Sequence, residues 1–437
     1  MGVIAARVGT TLTVAEVMEQ KSFEEVKSCW GEDDEELNFL EEAQARREGD
    51  RSKELLKELQ RCQFVVMRRM VIVSQVAVLT LASSGNVGLL QGMGTLPLLV
   101  VDEAAQVVEP GPWVPLSHGC QRLVLVGDEK QLPATIHHPL AFQRGLGISM
   151  FERFVRDGLV RMGNGFVQLD EQRRMHPSIA QFPSLAFYDG TVHDALETKQ
   201  RQPVPGFPWP NPEYHVAFVE CGFCEGEERR RSHANPREAD VLLEVLSWCL
   251  SAGMKPCQIG VITGYSAQQE LLQQRVAQLA KRLVFDPAEL RVDTVDGFQG
   301  AERDLILAST VRSFSRVGFM RDPRRANVML TRARRGLVVF GNGETLQTEE
   351  DTWKPWISWV RERGIELKAE VILPVEAGND PGEPFTTPDL QSEVRSKWPP
   401  AWPAEATKPA EVPADRTNAA QSSALDWLAA WTLATRT

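Results

Sequence analysis

Residues 96–106 read LPLLVVDEAAQ, six apolar positions in a row closed by Asp102 and Glu103. A run this short and this continuously apolar predicts a strand covered on both faces in a parallel sheet. Open parallel sheets bind ligands at the carboxyl ends of their strands. An acidic pair there suits nucleotide hydrolysis, Asp102 holding Mg2+ through water and Glu103 polarising the attacking water. A DE pair alone is a weak signal, since most are surface carboxylates, but the strand before it and the AAQ after it strengthen it. The next such run, LVLVGDEKQLPAT at residues 123–135, adds Gly127 for a tight turn after the strand and Gln131 on the same sheet edge as Asp102. A carboxamide can accept from water and donate to a phosphate oxygen, which suits a sensor of the terminal phosphate.

Outward from this pair the texture alternates. VIVSQVAVLT predicts a further buried strand leading into a glycine-rich loop, and SMFERFVRDG a helix capped by Ser149, with Glu152 at its third position and Gly158 past its end. After Phe166 come YHVAFVE, the helix READVLLEVLSWCLSAG, QIGVIT, the helix SAQQELLQQRVAQLAKRL, DLILAST and GLVVFGN. Strand–helix alternation of this kind predicts a second α/β layer. Residues 17–69 are charge-dense, with Leu37, Leu40, Leu55, Leu56 and Leu59 at helical spacing, and predict a projecting helical insertion. Beyond about Glu370 the chain is punctuated by proline and predicts a disordered tail, whose end could dock a protein partner.

The chain has 437 residues, enough for two cores and a tail, and its net charge of −11 excludes a protein that binds nucleic acid through bulk positive charge. A locally basic cleft stays open. Seven cysteines are too few for a disulfide scaffold and point to a reducing compartment. No signal peptide or membrane span is expected, which places the protein in cytoplasm or nucleus.

The blocks VDEAAQVVEP, LVLVGDEKQLPATI, LDEQRRMHPSIAQFPSLAFYDG, IGVITGYSAQ, VDTVDGFQGAERDLILAS and DPRRANVMLTRARRGLVVFGN occur in that order. Together they resemble the later motifs of superfamily 1 helicases, most closely the up-frameshift-like RNA/DNA helicases that include senataxin-type proteins. The resemblance covers roughly residues 70–345. It implies two RecA-like parallel-sheet motor domains, the first incomplete in residues 1–166 with the helices at 17–69 as its stalk, the second in residues 167–366, and a tail in residues 367–437. It implies ATP and Mg2+ as cofactors, single-stranded RNA or DNA as partner, and a place in RNA quality control such as nonsense-mediated decay.

Residue by residue, Asp102 and Glu103 match the Mg2+-binding and water-activating pair, and Gln131 the phosphate-sensing glutamine. Arg174 in EQRRMHP and Arg332 in LTRAR match the arginines that reach the terminal phosphate from the second domain. Gly300 and Glu302 match the motif that contacts the ribose, and Arg173 stands where the family typically has a Tyr stacked on adenine. Ser83, Thr294 and Asp296 match positions that touch the nucleic-acid backbone.

The family's phosphate loop needs a Gly-Lys pair, whose amides and ammonium hold the phosphates. No Gly-Lys occurs in this chain. Either the chain begins after that loop or the protein lacks its own cradle, so the alternative function is a non-catalytic nucleic-acid-binding scaffold. Gly264 replaces a common Pro, which loosens one loop. Arg324, Arg325, Arg334 and Arg335 would suit a phosphate-facing groove, whereas Arg229–Arg231 suit a solvated charge run. His176 is expected to be a structural hydrogen-bonder, and the pair Cys221 and Cys224, with no second pair at zinc spacing, an incidental one.

Overall fold

The computed structural model describes residues 5–8, 57, 61, 64–69, 71–72, 74, 76–90, 94–222, 232–313 and 316–373. Most of the expected stalk, the run Arg229–Arg231, Cys224 and the tail beyond residue 373 lie outside the described residues. The chain separates into two compact units, residues 1–375 and 376–437. Everything below concerns the first.

The second lobe carries the larger core. Its strands are β5 (Val216–Glu220), β6 (Ile259–Thr263), β7 (Arg291–Thr294), β8 (Arg303–Ser309), β9 (Ala333–Gly341) and β10 (Glu366–Lys368), after β1–β4 of the first lobe. They form one sheet in the order β7-β6-β8-β9-β5-β10, every neighbour parallel. Between β5 and β6 the chain passes over β9 and β8, then returns from β7 to β8. This crossing pattern is the RecA-like α/β architecture that the sequence implied.

Period-two alternation explains how both faces are buried. Phe218, Ile262, Ile306, Ala308, Leu337 and Val339 face one side, against the helices α2 (Pro177–Tyr188), α5 (Pro323–Leu330) and α6 (Trp353–Glu362). Ala217, Val219, Val261, Leu305, Leu307, Val338 and Phe340 face the other, against α3 (Pro236–Ser251) and α4 (Ser266–Leu283). In α3, Val241, Leu242, Val245, Leu246 and Cys249 supply a single apolar stripe. Asn235 starts that helix, its side chain accepting the Glu238 amide at 3.0 Å.

Among the described residues of the first lobe, β1 (Ala5–Val8) pairs with β2 (Val76–Leu79) and β3 (Leu99–Val101) with β4 (Leu123–Leu125), each in parallel. These strands were expected to be covered on both faces, and they are not. Val76, Val78, Val100 and Val124 are 47, 52, 53 and 39% exposed. The strands join only in pairs, and among the described residues one face of each carries no layer that would close it. The expected strand over VIVSQVAVLT shrinks to Val76–Leu79. Residues 71–72 are helical, and Thr80 caps a turn of helix at Leu81–Ser84, accepting the Ser83 amide at 3.1 Å.

The helix α1 (Met150–Arg156) begins at Ser149, whose Oγ accepts the Glu152 amide at 3.0 Å. The Glu152 carboxylate turns toward Arg324 at 3.2 Å. Past residue 366, where the tail was expected, β10 pairs with β5 and a short helix covers Ala369–Ile372. The order extends because Leu367, Ala369 and Ile372 are apolar and pack into the core beside α3. No helix among the described residues is long and apolar enough to cross a membrane.

Candidate active site

The first lobe contributes the carboxyl ends of β3 and β4. Directly after β3, Glu103 adopts a left-handed conformation, φ 50°, uncommon for a residue with a side chain. The turn is held locally. Asp102 Oδ1 accepts the Glu103 amide at 3.0 Å, Glu103 Oε2 accepts Gln106 Nε2 at 2.5 Å, and the Ala104 amide donates to the Val126 carbonyl at 2.7 Å. Gly127 lies outside the left-handed region; what it supplies is room. A Cβ there would stand 2.8 Å from the Ala105 backbone nitrogen, so the two strand ends could not approach. Beyond it, Asp128 Oδ1 accepts the Lys130 amide at 2.9 Å and Oδ2 accepts Gln131 Nε2 at 2.7 Å.

The second lobe contributes the amino ends of β8 and β9. Arg332, immediately before β9, is 2% exposed. Its guanidinium donates to the Val328 carbonyl at 3.0 Å, to Thr331 Oγ1 at 2.9 Å and, across the gap, to Gln131 Oε1 at 3.1 Å. Arg174 donates to the Thr331 carbonyl at 3.0 Å and to Glu302 Oε2 at 2.5 Å. Burial pushes Glu302 up, but the Arg174 hydrogen bond and the charges of Arg174, Arg334 and Arg201 outweigh it and hold the carboxyl below its ordinary value. The carboxyl edge of one sheet therefore meets the amino edge of the other.

The electrostatics of Arg332 are distinctive. Burial, and then the neighbouring Arg174 guanidinium, lower it to about 10, while Tyr188, Glu103 and Asp128 pull it back upward. Among the described residues no carboxylate forms an ion pair with it. A buried guanidinium bonded only to neutral oxygens is costly unless an anion completes it. The phosphates of a nucleotide fit that need, and a guanidinium fork matches their geometry. In the first lobe, Asp102 is exposed, and one of its carboxylate oxygens accepts the Glu103 amide of its own loop; its other oxygen could take a hydrated divalent cation.

Of the residues expected at the site, Gln131, Arg174, Glu302 and Arg332 are linked by these contacts, and Glu103 acts on Arg332 through charge. Arg173 is not among them. Its exposed guanidinium pairs with Glu197 at 2.9 Å and with Glu171. Gly300 has φ 75°, a backbone that favours glycine, and open space where a side chain would stand. Ser83 lies in the first-lobe turn of helix, its Oγ accepting from Thr80 at 2.9 Å. Thr294 ends β7 and accepts the Gly297 amide at 3.2 Å, and Asp296 meets Arg325 at 3.4 Å. Of the arginines that would suit a phosphate-facing groove, Arg324 lies 3.2 Å from Glu152, Arg325 3.0 Å from Asp322 and 3.4 Å from Asp296, Arg334 3.9 Å from Asp304 and Arg335 3.5 Å from Asp304. His176 caps α2 through Nδ1 and stacks on His215 at 3.7 Å, and Cys221 is buried in the core.

Two family models, each described as an AAA domain, match this chain, over residues 10–139 and 146–344. The "Regulator of nonsense transcripts 1" of Dictyostelium discoideum is 35% identical over 272 residues, 62% of this chain and 20% of its own length. "ATP-dependent helicase NAM7" of Saccharomyces cerevisiae is 36% identical over 61% of this chain and 27% of its own. "ATP-dependent helicase upf1" of Schizosaccharomyces pombe is 34% identical, with shares of 61% and 28%. The chain belongs to the up-frameshift-like superfamily 1 helicases. It spans a fifth to just over a quarter of the length of these relatives.

Two groups of this helicase chain escaped the sequence reading. Tyr188 Oη donates to Asp128 Oδ2 at 2.6 Å, and Asn327 Nδ2 donates to Tyr188 Oη at 2.8 Å and to the Lys130 carbonyl at 2.9 Å. Burial, then the charge and hydrogen bond of Asp128, push the Tyr188 phenol well up, so it stays a donor. Together they tie the Gln131 loop to the second lobe, where Leu132 also inserts into the core. Both residues fall inside quoted blocks, but neither residue type announces a role.

Proposed function

We propose that this chain is the motor part of an ATP-dependent helicase that couples ATP hydrolysis to movement along single-stranded RNA or DNA. The observation that carries this is Arg332, buried, without a carboxylate partner among the described residues, and reaching from the second lobe to Gln131 of the first. Bound ATP would supply the phosphoanhydride whose cleavage drives movement, with Mg2+ shielding its charge. Asp102 would hold the ion, Glu103 would orient the attacking water and take its proton, and Gln131 would contact the terminal phosphate. Arg174 and Arg332 stabilise negative charge only while the lobes stay together, which couples hydrolysis to lobe movement. By the family's motifs, Glu302 and Gly300 would contact the ribose, and Thr294, Asp296 and Ser83 the nucleic-acid backbone. The names of the relatives favour a role in RNA quality control such as nonsense-mediated decay, in cytoplasm or nucleus.

The missing Gly-Lys pair favours slow turnover by this chain alone. The test is ATP hydrolysis by the full chain with and without single-stranded RNA, compared with Glu103→Gln. The expected result is a slow rate, raised by the strand and abolished in the variant. Tight strand binding with no hydrolysis, or a rate indifferent to Glu103→Gln, would favour the non-catalytic scaffold instead.

A further inference from the structure

The short 3-10 helix Gly318–Arg321 before α5 holds one aromatic ring outward on a fixed backbone. The Phe319 amide donates to Tyr265 Oη at 3.2 Å, and Tyr265 Oη donates to the Val317 carbonyl at 3.2 Å. One residue on, Met320 is fully buried and its carbonyl accepts Trp353 Nε1 at 2.7 Å. Between these anchors the Phe319 side chain is 43% exposed. The Arg325 guanidinium carbon lies 3.6 Å from its ring centroid, and the Tyr265 ring is tilted against it at 6.4 Å.

Arg325 cannot also serve as a strong phosphate ligand. Asp322 holds it at 3.0 Å and Asp296 at 3.4 Å, so two carboxylates share one cation. What the guanidinium supplies is a flat brace behind the ring. Asp296 and Thr294, at the carboxyl end of β7, are the positions read above as touching the nucleic-acid backbone, and Arg325 links Asp296 directly to Phe319. The helix that follows, α5, begins at Pro323 and ends one residue before Thr331 and Arg332. Eight helical residues span about 12 Å, so the ring and the nucleotide pocket lie at opposite ends of one rigid rod.

We propose that Phe319, braced by Arg325, is a stacking platform for one base of the bound single strand. Aromatic faces stack every base alike, which suits a motor that moves regardless of sequence. The proposal rests on the reading that this chain grips single-stranded nucleic acid. It adds a contact to a base where that reading has contacts to the backbone only.

The experiment is fluorescence anisotropy with the full chain, an oligouridine of about 12 nucleotides and the same strand with abasic sites in place of its bases. Wild-type protein is expected to prefer the base-bearing strand. Phe319→Ala and Phe319→Leu should each weaken that strand about tenfold and the abasic strand little, and Phe319→Trp should restore the preference. Leucine keeps the bulk without the π-face, so its loss would report stacking rather than packing. Equal affinities in wild type and both variants, or equal losses on the two strands, would overturn the platform while leaving the gripping reading intact. Failure of wild-type protein to bind either strand would overturn both.

Discussion

Arg332 and Gln131, 201 residues apart in the chain, share a hydrogen bond of 3.1 Å across the gap between two parallel sheets. Gln131 is pre-oriented by Asp128, and Arg332 by Val328 and Thr331, so neither side chain has to search for the other. The charges of Glu103 and Arg174 both act on the Arg332 guanidinium, the first from the first lobe and the second from beside it. A terminal phosphate there would touch groups from both lobes at once, which is the geometric condition for hydrolysis to report on lobe position.

The Tyr188 hydroxyl bridges the lobes through Asp128 and Asn327. Removing it in Tyr188→Phe leaves Asp128 bonded to Gln131 and Asn327 bonded to Lys130, so the loss should be moderate, about 1 kcal/mol. Urea denaturation of the two proteins measures it. A larger effect is expected on nucleotide binding than a surface Tyr→Phe change would produce, because Asp128 positions Gln131.

Gly127→Ala places a methyl group 2.8 Å from the Ala105 backbone nitrogen. Backbone cannot yield as a flexible side chain can, so the turn that carries Asp102 and Glu103 must move. The expected cost is about 1–3 kcal/mol, together with weaker Mg2+-nucleotide binding. Thermal melting and titration with a triphosphate analogue check the two parts.

Glu238 gives the second lobe a pH dependence. It is fully buried, Oε1 accepts Ser309 Oγ at 2.5 Å and the Val311 amide at 3.0 Å, and Oε2 has no partner. Burial outweighs those bonds and raises the carboxyl to about 7. A raised carboxyl favours the protonated native form, so the unfolded chain ionises first and stability falls as pH rises from about 4.5 toward 7, then levels off. Melting temperature across that window should decline in wild type, and Glu238→Gln should flatten the decline.

The second lobe is legible where its strands are apolar runs, as in Val216–Glu220, Ile259–Thr263 and Ala333–Gly341, and where a Pro opens a helix, as at Pro177, Pro236 and Pro323; the short polar strands Arg291–Thr294 and Glu366–Lys368 carry no such signal. The first lobe is less so. VIVSQVAVLT contains no residue that breaks a strand, yet residues 71–72 are helical and only Val76–Leu79 is strand. At the site, Asp102, Glu103, Gln131, Arg174 and Arg332 stand out because acids, carboxamides and guanidinia are the groups that phosphate chemistry uses. Tyr188 and Asn327 do not. Their partners lie 60 and 139 residues away, and only the folded chain brings them together.

The most direct test is a double-mutant cycle on Gln131→Ala and Arg332→Ala, read as the affinity of the full chain for a non-hydrolysable ATP analogue relative to ADP. Each single variant should erase most of the preference for the triphosphate, and the double variant should lose little more than either one, as expected for two groups holding one phosphate. Fully additive losses, or a preference that survives in all three variants, would contradict a shared pocket between the lobes.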